Sequence, residues 1–91
     1  MLFLMKNAKN TSSYEPNQDE NWKEFWKSES GKPWPYYCAV YGCSGRAEVG
    51  AHVQKVGDYS GAMYIAPLCY SHNNDHDATF YIDDSMLVRI K

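Results

Sequence analysis

Two short pairs of metal-ligand residues constrain this chain more than anything else in it. Cys38 and Cys43 are separated by four residues, Cys69 and His72 by two, and twenty-five residues lie between the pairs. Three cysteines is an odd count, and a disulfide framework wants an even one. Three thiolates and one imidazole, in contrast, complete a tetrahedral ligand set for Zn2+. The chain is 91 residues long, and a core of that size is worth only about 3–5 kcal/mol by itself. A metal cross-link relieves this by making folding conditional on binding. The pattern therefore predicts a structural zinc held by Cys38, Cys43, Cys69 and His72. His76, further along the same segment, and His52 remain alternative fourth ligands.

The segments around the pairs suit that role. Residues 38–43 read as a tight turn, with Gly42 and Gly45 expected to take positive φ. Residues 48–56 read as a strand carrying Val49, Val53 and Val56. A loop follows over 57–61, then a return strand over 62–68 that Pro67 ends. Residues 69–76 read as a short helix with Ser71, Asn73 and Asn74 as polar early positions, and a helix N-terminus favours thiolate at Cys69. Two short strands are expected over 79–82 and 86–90, around Asp83, Asp84 and Ser85.

N-terminal to the first pair, residues 16–31 read as a helix. Asn17 is the expected N-cap, and Asp19 and Glu20 complement the dipole in the first turn. Trp22, Phe25 and Trp26 fall at i, i+3 and i+4 and form an aromatic stripe that caps a small core. Gly31 stops the helix, and Pro33 and Pro35 prevent its resumption. Residues 1–15 read as a flexible tail, polar over 6–13, with Tyr14 as the first residue to dock. The fold class expected is small α+β: a zinc-stabilised knuckle, hairpin and short helix, with an N-terminal aromatic amphipathic helix and C-terminal short strands. One domain is expected over 16–91.

Composition narrows the function classes. Hydrophobic residues make up 44% and charged residues 22% of the chain, which is globular rather than disordered composition. Its longest apolar runs fall far short of the roughly 20 residues that a membrane span needs. The apolar start, Met1 to Met5, is followed at once by Lys6, Asn7 and Lys9, unlike a secretory signal. With unpaired thiols, this points to the cytoplasm. The net charge is −2, so there is no bulk attraction to nucleic acid phosphates. Arg46, Lys55, Arg89 and Lys91 are too few for a basic patch. Asp75, Asp77, Asp83 and Asp84 read as a solvated acidic face that repels phosphate and suits a basic partner.

The strings Glu48-Val-Gly-Ala-His52-Val53 and Ile65-Ala-Pro-Leu-Cys69-Tyr-Ser-His72-Asn73 resemble the HNH (ββα-metal) endonuclease superfamily, over roughly residues 37–80. The resemblance implies a treble clef, in which a zinc knuckle, a hairpin and a helix share the metal. It further implies that a strand histidine activates water, while a helix residue helps to hold a separate catalytic Mg2+ or Mn2+. By position, His52 takes the place of the general base and Asn73 that of the helix ligand; from the residues alone, His52 reads first as a structural histidine packed beside the zinc knuckle and Asn73 as a polar helix cap. Ala51 stands where a metal-binding Asp or His normally precedes the base. No Asn lies between His52 and Cys69, and Asp58 is the sole carboxylate there. Cleavage of a phosphodiester needs both a held ion and a base within reach of water. The function expected is therefore binding of a protein or nucleic acid by a small HNH-like zinc domain with incomplete nuclease chemistry. The alternative is a metal-dependent endonuclease using His52 and Asn73.

Overall fold

The computed structural model describes residues 1–8 and 18–90, the side chains of 18–21 excepted. Five strands form one antiparallel sheet: β1 (Leu2–Asn7), β2 (Val49–Lys55), β3 (Tyr64–Leu68), β4 (Thr79–Asp83) and β5 (Val88–Arg89), in the order β4-β1-β2-β3-β5. Two helices accompany it among the described residues, α1 (Gln18–Ser30) and α2 (Tyr70–Asn74). The architecture is small α+β.

The largest departure from expectation is β1. Residues 2–7 were expected within a flexible tail, yet they form a strand in the interior of the sheet, between β2 and β4. Met5 pairs with Lys55 on one side and with Phe80 on the other, and it is fully buried. The segment alternates: Phe3, Met5 and Asn7 share one face, as residues two apart in a strand must. Its partners lie about 50 and 75 residues away in sequence, so nothing local in the chain announces the pairing. Asn17 and Tyr14, expected as a cap and a docking residue, lie outside the described residues, as do the side chains of Asp19 and Glu20.

The β2–β3 hairpin pairs Val49 with Leu68 and Val53 with Tyr64. Its loop turns through Gly57 and Gly61, both at positive φ (83° and 85°), and Asp58 accepts a bond from the Ser60 N–H at 2.9 Å. Pro67 does not end β3 but lies within it, opposite Gly50. The N and C=O of a strand residue point to the same edge, and the Pro67 carbonyl accepts the Ala39 N–H at 2.8 Å. The missing proline donor therefore lies on the side away from β2, where it costs no ladder bond. The expected C-terminal strands are present as β4 and the two-residue β5. Between them Asp84–Met86 make a 3-10 turn, capped by Asp83 through the Ser85 N–H.

Period-2 alternation divides the sheet into two faces. Gly50 and His52 of β2 face α1, which lies directly on them. A Cβ placed on Gly50 would come within 2.9 Å of Trp22 Cβ and 3.0 Å of the Trp22 carbonyl carbon. Trp26 is 1% exposed, donates its indole N–H to the Met86 carbonyl at 3.0 Å, and meets Trp34 edge-on at 5.6 Å. Trp22 and Phe25 are half-buried. On the opposite face Val49, Ala51 and Val53 join Met5, Ala66, Leu68, Phe80 and Ile82 in the core. The buried Cys38 and Cys69 belong to the same cluster. The site described next is thus continuous with the core.

Candidate metal centre

The first pair of thiols sits on a turn that joins the sheet at both ends. The Cys38 N–H bonds the Gly45 carbonyl at 2.8 Å, and the Cys43 N–H closes the turn onto the Val40 carbonyl at 2.9 Å. Gly42 takes positive φ (85°), as expected. Gly45 does not, and its reason is space. A Cβ there would lie 3.2 Å from Cys69 Cβ, 3.4 Å from Cys43 Sγ and 3.5 Å from Cys69 Sγ. Its bare N–H approaches Cys43 Sγ at 3.3 Å.

The second pair opens α2. Cys69 leaves β3 in extended conformation and is the N-cap, its sulfur accepting from the His72 N–H at 3.4 Å. One helical turn then returns the His72 ring towards its own cap residue. The ring packs against Phe80, with centroids 5.5 Å apart.

The two pairs converge. The sulfurs of Cys38, Cys43 and Cys69 and a ring nitrogen of His72 all lie within 4.8 Å of one another. Nδ1 of His72 is 3.2 Å from Cys69 Sγ and 3.8 Å from Cys38 Sγ, and Cys43 Sγ is 4.0 Å from Cys69 Sγ. No disulfide links the three thiols. This Cys3His cluster could hold a metal ion. Burial pushes the Cys38 thiol up to about 12. At Cys69 burial also acts upwards, but bonds from the His72 N–H, the Cys38 and Cys43 thiols and the Ser71 N–H outweigh it. The net effect holds Cys69 below the ordinary thiol range. One sulfur is thus prepared for the thiolate form and one is held back from it, and a cation among them would favour the thiolate at both.

Of the three histidines, the structure brings His72 to the thiols. His76 is exposed beyond the end of α2. His52 lies on the α1 face of β2, its ring 4.8 Å from Trp22 in an edge-on arrangement. Asn73 is on α2, with its N–H bonded to the Cys69 carbonyl at 3.0 Å. The sheet separates these two residues: α2 packs on the face of Met5, Asn7 and Val53, while His52 points the other way. The expected base and helix ligand of a nuclease site are therefore not brought together.

One residue of the site escaped the sequence reading. Asn7, placed in the expected tail, is 4% exposed. Its side-chain amide donates to the His72 carbonyl at 2.7 Å and to the Asp75 carbonyl at 2.9 Å. The alternation Phe3, Met5, Asn7 was the available signal, since it sets a polar residue where the pattern calls for a buried one.

No protein-family model matches the chain, and no curated protein or solved structure matches it. Among the described residues no helix is long and apolar enough to cross a membrane.

Proposed function

We propose that this protein is a structural zinc domain of treble-clef type that works by binding a macromolecular partner, a protein in preference to a nucleic acid. The observation that carries the zinc reading is the size of the ligand cluster. Zn–S bonds of about 2.3 Å and a Zn–N bond of about 2.05 Å in a tetrahedron require S···S edges near 3.8 Å and S···N edges near 3.5 Å. Three of the six edges here are 4.0, 3.8 and 3.2 Å, and all six lie within 4.8 Å, so an ion would draw the ligands together by about 1 Å at most. All four ligands come from the protein, which is the closed set of a structural site rather than the open one of a catalytic site. Turn, hairpin and short helix follow one another as in a treble clef.

The binding role rests on the surface. Tyr36, Tyr37, Tyr41, Tyr70 and Tyr81 are each more than half exposed. Four of them lie within three residues of a metal ligand in sequence, and the backbone of Tyr41 bonds that of Tyr81 at 2.8 Å. Tyrosine is a residue type enriched in protein interfaces, and the net charge of −2 disfavours phosphate. Nuclease action with His52 as base has less support, because His52 and Asn73 face opposite sides of the sheet.

The test begins with metal-free protein. Adding one equivalent of Zn2+ should restore the folded circular-dichroism spectrum, and Cys43→Ser should abolish that recovery. Plasmid incubated with the zinc protein and Mg2+ or Mn2+ should stay intact. Cutting that disappears in His52→Ala would refute the binding-only reading. Steeply salt-dependent retention on DNA would replace the protein partner with a nucleic acid.

A further inference from the structure

The metal ligands are held by more than their own pairs. α2 is five residues long, too short to be stable by its own hydrogen bonds, and it carries one ligand while its cap residue, Cys69, is another. Its front end is fixed by the turn from β3. At its rear end the chain makes only long backbone bonds, from the Asp75 N–H to the His72 carbonyl at 3.3 Å and from the Ala78 N–H to the Asp75 carbonyl at 3.4 Å, and Asn7 adds shorter ones to the same two carbonyls from a strand 65 residues earlier in the chain. Both atoms facing the Asn7 amide are carbonyl oxygens, which cannot donate, so the NH2 group must point at them and the orientation is unambiguous. The Oδ1 on the other side is buried with no hydrogen-bond partner among the described residues. Both contacts of this side chain thus go to the end of the helix that bears the ligand, one to the carbonyl of His72 itself and one to that of Asp75, its C-cap.

We propose that Asn7 is the positioning residue of the metal centre: it clamps the end of α2 and so holds the His72 ring over the three sulfurs in the folded protein. This rests on the zinc reading above. Without the clamp, α2 pivots about Cys69, and the imidazole must be recruited when the ion arrives. Part of the binding free energy is then consumed in ordering that segment. The three sulfurs keep their places, because the 38–43 turn and the end of β3 hold them independently of Asn7. The coupling reaches Zn2+ only through His72.

The experiment is a chelator-competition measurement of Zn2+ affinity on the full chain, with Co2+ absorption as the probe of ligand geometry. Asn7→Leu keeps the approximate volume and removes both donors, and Asn7→Asp turns carboxylate oxygens on the two carbonyls. Each should bind Zn2+ roughly 10–100-fold more weakly, the range for losing an outer-shell partner of a metal ligand. The Co2+ complexes should lose imidazole character while keeping the sulfur charge-transfer bands. Ile65→Val loosens the buried core on the α1 face without touching α2, and should change affinity less than about threefold. The proposal is overturned if both Asn7 variants match the parent in affinity and spectrum, or if Ile65→Val loses as much as they do. If neither variant folds, the parent decides: slow exchange of the Asn7 side-chain NH2 protons in the zinc protein supports the clamp, and free exchange overturns it. A parent that binds neither ion removes the zinc reading and the clamp's role together, whereas a parent that binds with unchanged variants removes the clamp alone.

Discussion

Replacing Gly50 with alanine separates this structure from a generic strand. Glycine in a strand interior is normally a weakness, and alanine at such a site gains roughly 0.5–1 kcal/mol. Gly50 has an ordinary negative φ, so the backbone raises no objection. The objection comes from α1. The new methyl would sit 2.9 Å from Trp22 Cβ, 3.0 Å from the Trp22 carbonyl carbon and 3.2 Å from the Lys23 nitrogen. Two of those atoms are backbone and cannot rotate away. Restoring ordinary contact at about 3.5–4.0 Å requires the whole helix to retreat by about 0.5–1 Å. That shift loosens the Trp22 contact with His52 and the seating of Trp26. Overpacking of this kind costs about 1–3 kcal/mol, which in a domain this size lowers Tm by about 4–24 °C. The assay is thermal and urea unfolding of both proteins at one fixed excess of Zn2+, because stability linked to a ligand shifts with its concentration. An unchanged or raised Tm in Gly50→Ala would refute the packing of α1 on β2, and with it the separation of His52 from Asn73.

Three further outcomes are expected. Trp26→Ala should destabilise by about 3–5 kcal/mol, since it empties a 1%-exposed indole site and orphans the Met86 carbonyl; urea unfolding measures it, and a loss below 1 kcal/mol contradicts the placement. Gly45→Ala should weaken Zn2+ binding by displacing the sulfurs of Cys43 and Cys69 more than it lowers the stability of the sheet, and chelator competition compared with Tm distinguishes the two. Metal affinity should rise with pH: without metal the thiols are protonated at neutral pH, Cys38 most firmly in the folded state, where burial pushes it up to about 12, so the incoming ion must expel protons. Calorimetric titration in two buffers of different ionisation enthalpy should show proton release on binding, and none released would contradict the thiolate assignment.

The site was more legible in the sequence than the sheet around it. Cys38, Cys43, Cys69 and His72 declared themselves by residue type and spacing, because metal chemistry restricts both. The hairpin announced itself through valines flanking a Gly-rich loop, and the turn through Gly42. What could not be read was whatever depends on distant partners. β1 is stabilised by strands that lie far along the chain, and Leu2–Asn7 alone resembles any apolar start. Gly45 looked like a turn glycine, but what it provides is room between two sulfurs, a property of the assembled site. Pro67 looked like a strand end because a proline usually costs a ladder bond, and only the bond from Ala39 to its carbonyl shows which edge it faces. The string around His52 offers a catalytic place only as an alternative to a structural one, and the pleat of β2 turns the ring to the α1 face, against Trp22.

The central claim is one ion gathered by four side chains from the 38–43 turn and the start of α2. Elemental analysis of protein purified without added metal, paired with circular dichroism before and after a strong chelator, tests it most directly. The account predicts one zinc per chain and loss of folded structure when the metal is withdrawn. Protein that contains no stoichiometric metal and keeps its fold in chelator would contradict it.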